Sequence, residues 1–326
     1  MTQMLSSNHL VVSNWLFFTA FMVAAMAVIG AVTRLTESGL SMVEWRPLIG
    51  ALPPMNETEW QRVFDLYRET PEYAHKNAGM TLAAFQNIFF WEWFHRLWGR
   101  MIGLVYALPL LFFWLRGMIP AGYKGYLLAG LIFGGAQGLM GWYMVQSGLV
   151  DRPDVSHYRL AAHLLLAFFI FGYVFWLALK MRDFSLKDMT FCQKRHGMSA
   201  LALLIVTISW GAFVAGLDAG RIYNTWPLMG GGVLPPETFG GHSALFEEHA
   251  WVQFTHRWLA ALTFVFVASF AWRIKSLWLT GAITLQFVLG IITLLSHLWI
   301  PAAALHQLGA LFVIATMIRA VMHRHA

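Results

Sequence analysis

Apolar runs of about 20 residues, long enough to cross a bilayer core of about 30 Å, recur eight times along this chain, separated by polar segments. They fall near residues 14–33, 88–114, 124–146, 160–180, 198–217, 252–272, 277–296 and 301–319. No water reaches backbone amides inside lipid, so each run is predicted to be a helix that satisfies its own hydrogen bonds. Two long polar loops, about 34–87 and 218–251, interrupt the series, and the other connections are short. Between the last two runs only Pro301 marks a turn.

Composition agrees with the pattern. Hydrophobic residues make up 58% of the 326 and charged residues 12%, against roughly 25% charged in a soluble domain. The expected class is an all-α integral membrane protein. The net charge of +6 does not point to nucleic acid here. In a membrane protein, basic residues record topology and contacts with anionic membrane lipid. The single cysteine, Cys192, excludes an internal disulfide and any cysteine-rich metal cluster. The opening MTQMLSSNHLVVSNW has no Lys or Arg, unlike the start of a cleaved signal or a transit peptide. A bacterial inner membrane is the expected location.

The short loops set an orientation. Arg116 and Lys124 lie between the second and third runs, and Lys180, Arg182, Lys187, Lys194 and Arg195 between the fourth and fifth. Arg273 and Lys275 follow the sixth, and Arg319 and Arg324 close the chain. The opposite short loops hold only Arg152, Arg159 and Arg221. The positive-inside rule therefore predicts cytoplasmic termini.

The chain also repeats itself. Residues 30–54 resemble 211–236 at an offset of 181, which matches Gly30 with Gly211, Glu37 with Asp218, Gly39 with Gly220 and Trp45 with Trp226. WEWFHRLWGR (91–100) has its counterpart in WVQFTHRWLA (251–260). AQGLMGWYMVQSGL (136–149) mirrors LQFVLGIITLLSHL (285–298), aligning Gln137 with Gln286 and Gly141 with Gly290, and RLAAHLLLAFFI (159–170) pairs with AAALHQLGALFV (302–313). We expect two pseudo-symmetric four-helix bundles, residues 14–180 and 198–320, related by an axis along the membrane normal.

Four histidines occupy repeated positions in the even-numbered runs: His95, His163, His256 and His306. Parallel helices with histidines near their outer ends place the rings at one depth, one pair per bundle. Two imidazoles on facing helices suit axial ligation of heme iron. The plainer alternative is a hydrogen-bonded contact between helices. The remaining histidines, such as His9, His75, His196, His323 and His325, are expected in solvated loops or tails, with His297 structural and His157 ambiguous. Arg96 and Arg257 each follow a candidate ligand and would either pair with heme propionates or snorkel to the interface. Glu92 lies three residues before His95 on the same helix face, where the second half has Gln253. A carboxylate in one half and an amide in the other points to inequivalent sites, one for proton chemistry. An interfacial pairing of Glu92 with Arg96 is the alternative. Gln137 and Gln286 are expected to be interhelical hydrogen-bond donors.

Segments TRLTESGLSMVEWRPLIGALPP, EWFHR (92–96), VSHYRLAAH (155–163), AGLDAGRIYNTWPLM (215–229), QFTHR (253–257) and LHQLGA (305–310) together resemble the heme A synthase family, which includes mitochondrial cytochrome oxidase assembly proteins. The resemblance implies that His256 and His306 hold a heme b cofactor and that His95 and His163 bracket the substrate, heme O. It implies oxidation of the C8 methyl of heme O to a formyl group, with Glu92 participating in catalysis. The reaction is described in the family as two hydroxylations followed by loss of water. Some bacterial members carry a cysteine pair in the first long loop. This chain has none there, so it resembles the proteobacterial and mitochondrial type, and thiol chemistry in that loop is not expected.

The same ligand set would serve a di-heme b-type electron-transfer cytochrome, and duplicated halves also occur in transporters. The expected partners are heme O, an electron acceptor of unknown identity, and the farnesyltransferase that makes heme O (heme O synthase). The sequence leaves monomer or homo-oligomer open.

Overall fold

The computed structural model describes residues 7–44, 49–149 and 153–324; Trp45, Arg152 and His325, named above, lie outside them. The described helices are α1 (Ser7–Leu35), α2 (Glu57–Arg68), α3 (Pro71–Lys76), α4 (Leu82–Leu115), α5 (Lys124–Gln146), α6 (His157–Lys180), α7 (Phe191–Gly216), α8 (Ala244–Glu247), α9 (His249–Arg273), α10 (Leu277–Leu295) and α11 (Ile300–Ala320). Eight of them, all but α2, α3 and α8, are long and apolar enough to cross a membrane. Each expected run is one of these helices, and the protein is all-α with eight membrane-spanning helices. The turn at Pro301 is present too: proline sits in the first turn of α11, where its missing N–H costs nothing.

Several helices begin earlier than the apolar pattern predicts. α4 starts at Leu82 rather than 88 because the Thr81 hydroxyl caps it, accepting from Ala84 N–H at 3.2 Å. Its first turns then leave the apolar run and pack Phe85 and Phe89 against Phe64 and Tyr67 of α2, forming a small core in the first long loop. α7 starts at Phe191 rather than 198 because Thr190 and Gln193 form a reciprocal capping box.

α1 packs on α4, α6 and α11; α5 packs on α4 and α6. α7 packs on α6 and α9, and α10 on α9 and α11. The largest buried cluster runs through these contacts and includes Leu16, Val174, Leu177, Phe270, Leu279 and Val313. Large apolar side chains on the outside, among them Leu108, Ile132, Leu139, Val265 and Trp272, are exposed as a lipid-facing surface requires.

Polar ties join the two repeats. Arg34 at the end of α1 pairs with Asp218 after α7 at 2.8 Å. The Gln307 amide donates to the Ala27 carbonyl at 2.8 Å. The duplication extends to backbone conformation: the matched residues Glu37 and Asp218 have left-handed φ of 51° and 52°. An antiparallel ribbon, β1 (Phe184–Leu186) with β2 (Met322–Arg324), links the α6–α7 loop to the end of the chain. That pairing was read as loop and tail, since two three-residue strands leave no alternation to detect. His9 and His196, expected to be solvated, instead lie on α1 and α7 with ring nitrogens against the Met181 and Phe266 carbonyls, at 3.3 and 3.2 Å. His157 is buried and rests against Phe213.

Beside Tyr67 of this loop core, Glu72 is buried and accepts from the Tyr67 hydroxyl at 3.0 Å. Asn77 Nδ2 in turn donates to that hydroxyl at 2.6 Å. Burial pushes the Glu72 carboxyl from its ordinary 4.5 up to about 8. Between those values the folded loop keeps a proton that the unfolded chain releases. Loop stability therefore falls as pH rises from about 4.5 to about 8 and levels off above that. Glu72→Gln is expected to remove this slope, read as hydrogen exchange of α2 and α3 across that range. A slope that survives the substitution would assign it to another group.

Candidate functional site

His95 lies on α4, His163 on α6, His256 on α9 and His306 on α11. All four rings are deep in the protein, yet each keeps some accessible surface. The rings come in two couples within electrostatic reach of each other, His95 with His163 and His256 with His306.

Their hydrogen bonds bear on the alternative of a simple interhelical contact. Nδ1 of His95 and Nδ1 of His306 are buried without a hydrogen-bond partner. His256 Nδ1 lies 3.2 Å from the Thr207 carbonyl, which leaves Nε2 free. The His163 ring alone meets a side chain: Gln137 Nε2 is 3.2 Å from both of its nitrogens and donates to the His163 carbonyl at 3.1 Å. Gln137 thus joins α5 to α6, and a metal at Nε2 of His163 requires that amide to move aside.

The loop-facing residues form two matching clamps. In the first half, Glu92 Oε2 accepts from the Ser41 hydroxyl at 2.7 Å and from Met42 N–H at 2.6 Å. Its other oxygen pairs with Arg96. Arg96 also donates to the Met42 carbonyl at 3.0 Å and the Glu44 carbonyl at 3.5 Å. In the second half, Arg257 donates to the Tyr223 carbonyl at 2.6 Å and the Thr225 carbonyl at 2.8 Å. Residues 42 and 44 stand at the repeat offset of 181 from 223 and 225, so the two arginines grip equivalent carbonyls.

One exchange distinguishes the clamps. Where Glu92 accepts from a backbone N–H, Gln253 donates its Nε2–H to the Tyr223 carbonyl at 3.0 Å, and its oxygen accepts from Arg257 at 3.3 Å. Glu92, Gln253 and Arg257 are all buried. Hydrogen bonds to charged groups contribute about 1.5–3 kcal/mol each, so these clamps hold the two long loops onto α4 and α9. Neither reading of the arginines from sequence, propionate partner or snorkel, anticipated carbonyls as the partners. Arg257 Nε remains buried without a hydrogen-bond partner and is the donor still able to meet an anionic group.

Among the described residues, no three or more His, Cys, Asp or Glu side chains converge as a metal site. Two imidazoles are too few for a bare structural metal ion, which takes about four protein ligands. They match a metal that brings its own equatorial ligands, as heme iron does. The four rings, with the buried and unpartnered Nδ1 atoms of His95 and His306, fit that group.

Comparison with known proteins places this geometry. The family model for COX15-CtaA, described as cytochrome oxidase assembly protein, matches residues 13–318. The chain belongs to the COX15-CtaA family. It is 48% identical to the heme A synthase of Rhodospirillum centenum, over 94% of this chain and 86% of that protein. It is 44% identical to the heme A synthase of Maricaulis maris, over 97% and 96%. A third relative, the heme A synthase of Paramagnetospirillum magneticum, is 45% identical over 93% and 90%.

Three polar features of the structure escape the sequence reading. Ser41 and the Met42 amide hold Glu92, but nothing in their residue types marks them. Glu72 lies in a polar stretch where a carboxylate draws no attention. Arg100, five residues past His95 within α4, has Ala261 as its counterpart. A cation inside an apolar span is a detectable signal that deserved weight.

Proposed function

We propose that this protein is a heme A synthase, oxidising the C8 methyl group of heme O to a formyl group to supply cytochrome oxidase. The observation that carries the reading is the placement of four imidazoles at repeated positions on α4, α6, α9 and α11, in a chain 48% identical to a heme A synthase. The eight spans form two pseudo-symmetric four-helix bundles. In support, α1, α4, α5 and α6 pack in sequence and α1 meets α6, while α7, α9, α10 and α11 pack in sequence.

The bundle of residues 14–180 takes the substrate between His95 and His163. The bundle of residues 198–320 holds heme b between His256 and His306, where it supplies one-electron redox capacity. The change from methyl to aldehyde removes four electrons, so an external acceptor is part of the reaction. Arg96 and Arg257 close the outer loops over the two sites, and Arg257 Nε meets a heme carboxylate. Glu92, one turn before His95, is the proton acceptor of the substrate site, fixed by Ser41, Met42 and Arg96. The protein lies in a bacterial inner membrane with both termini cytoplasmic, as the basic short loops favour.

The test is mass analysis of heme extracted from the purified protein, expressed with and without a heme O synthase. Heme A or a hydroxylated precursor is expected only when heme O is made. Heme B alone under both conditions, at two equivalents per chain, would instead identify a di-heme electron-transfer cytochrome.

A further inference from the structure

The repeat matches two pairs of glycines, Gly30 with Gly211 and Gly141 with Gly290, and none of them has a role in the clamps or the ligand pairs. Their surroundings share one feature. A Cβ built on Gly30 would stand 3.2 Å from Cε1 of His95, and on Gly141 3.1 Å from Cε1 of His163. On Gly211 it would stand 3.0 Å from Cε1 of His256, and on Gly290 2.9 Å from Cε1 of His306. Each odd-numbered span thus presents a glycine to the histidine of the next span: α1 to α4, α5 to α6, α7 to α9 and α10 to α11.

We propose that Gly30, Gly141, Gly211 and Gly290 are positioning residues: each is a bare backbone seat that fixes the orientation of one heme-facing imidazole. This rests on the reading of the four histidines as axial ligands. Ordinary close packing of helices does not account for the contacts. At all four glycines the nearest atoms belong to the imidazole alone. Gly216, a glycine that does serve close helix approach, meets the backbone and Cβ of His157 instead.

The physical reason follows from the direction of helical side chains, which lean back over the turn preceding them. A side chain at position j covers the carbonyl of j−4, and glycine leaves it bare. His256 Nδ1 lies 3.2 Å from the carbonyl of Thr207, four residues before Gly211. The carbonyl of Gln286, four residues before Gly290, lies beside the His306 ring. An Nδ1–H held by a carbonyl fixes the tautomer and turns Nε2 toward the metal, the usual support for a ligating histidine. A methyl group at the seat displaces the ring from both the glycine and the carbonyl.

The experiment compares Gly211→Ala and Gly290→Ala with Gly281→Ala in the full-length, heme-loaded protein. Gly281 is a control on α10, where an added Cβ meets nothing within 4 Å. Heme retention in the two seat variants is expected to weaken about 10–100-fold, the usual loss when support of a metal ligand is removed. Their low-spin heme absorption and paramagnetic resonance should shift, with Gly281→Ala unchanged. Seat variants with native heme retention and spectra would overturn the proposal. A second measurement guards against simple misfolding: thermal unfolding of Gly290→Ala with and without His306→Ala. If the glycine acts through the ring, Gly290→Ala destabilises the native background and not the His306→Ala background. Equal destabilisation in both would assign Gly290 to helix packing and overturn the seat. Should His306→Ala keep all of its heme, the ligand reading fails by itself, and the unfolding cycle still judges the seat.

Discussion

Replacing Glu92 with glutamine is expected to leave heme bound and slow heme A formation by about 10²–10⁴-fold, the range that a positioned acid or base contributes. The variant should fold, because the second half already shows how an amide is accommodated at this place. Gln253 turns its Nε2 toward the Tyr223 carbonyl and its oxygen toward Arg257. At position 92 the matching carbonyl, that of Met42, is present and already accepts from Arg96. A glutamine there can copy the arrangement, at the cost of the bonds that Ser41 and the Met42 amide now make to a carboxylate, roughly 1.5–3 kcal/mol each.

Ser41→Ala separates the two roles open to Glu92. It removes one donor from the clamp and leaves the carboxylate in place. If Glu92 works by holding the loop, the two variants lose turnover together. If it works on protons, Ser41→Ala keeps most of its activity while Glu92→Gln does not. Full turnover in Glu92→Gln with native heme content would end the catalytic assignment. The measurement is heme A formed per bound heme, by extraction and mass analysis.

What the sequence makes legible here is whatever rests on local chemistry or on repetition. Span α5 was located to the residue because Lys124 and the polar Gln146–Ser147 end bound its apolar run. The four histidines stand out in the sequence because His95 and His256, and likewise His163 and His306, occupy repeated positions. The parts that stayed hidden depend on partners far along the chain. The early start of α4 depends on Phe85 finding Phe64 and Tyr67, a contact no apolar period announces. Arg96 and Arg257 bind backbone carbonyls, and every residue has a carbonyl, so composition and motif carry no trace of that choice. The glycines were visible as repeats, but glycine is defined by what it lacks, and only the neighbour shows what the gap is for.

The histidine pairs give the other large effect, and it should differ between the halves. If His256 and His306 hold the resident heme as proposed, alanine at either is expected to empty the C-terminal half of it, since the remaining imidazole then has no partner. The methyl of alanine also leaves a cavity where a ring was, and large-to-small changes at buried sites cost about 2–5 kcal/mol. Heme content per chain, measured on purified protein without heme O supplied, should drop toward zero in both variants. Alanine at His95 or His163 should leave that resident heme in place and abolish heme A formation, if those rings bracket the substrate as proposed. The Gln137 amide supports this division: it lies 3.2 Å from both nitrogens of His163 and must yield before iron can bind there. A ring shielded by a movable amide suits exchange. If all four variants lose the same heme, the two bundles are not divided into substrate and cofactor sites. If none of them does, the imidazoles are not the ligands, and the pairing of His95 with His163 and of His256 with His306 needs another purpose.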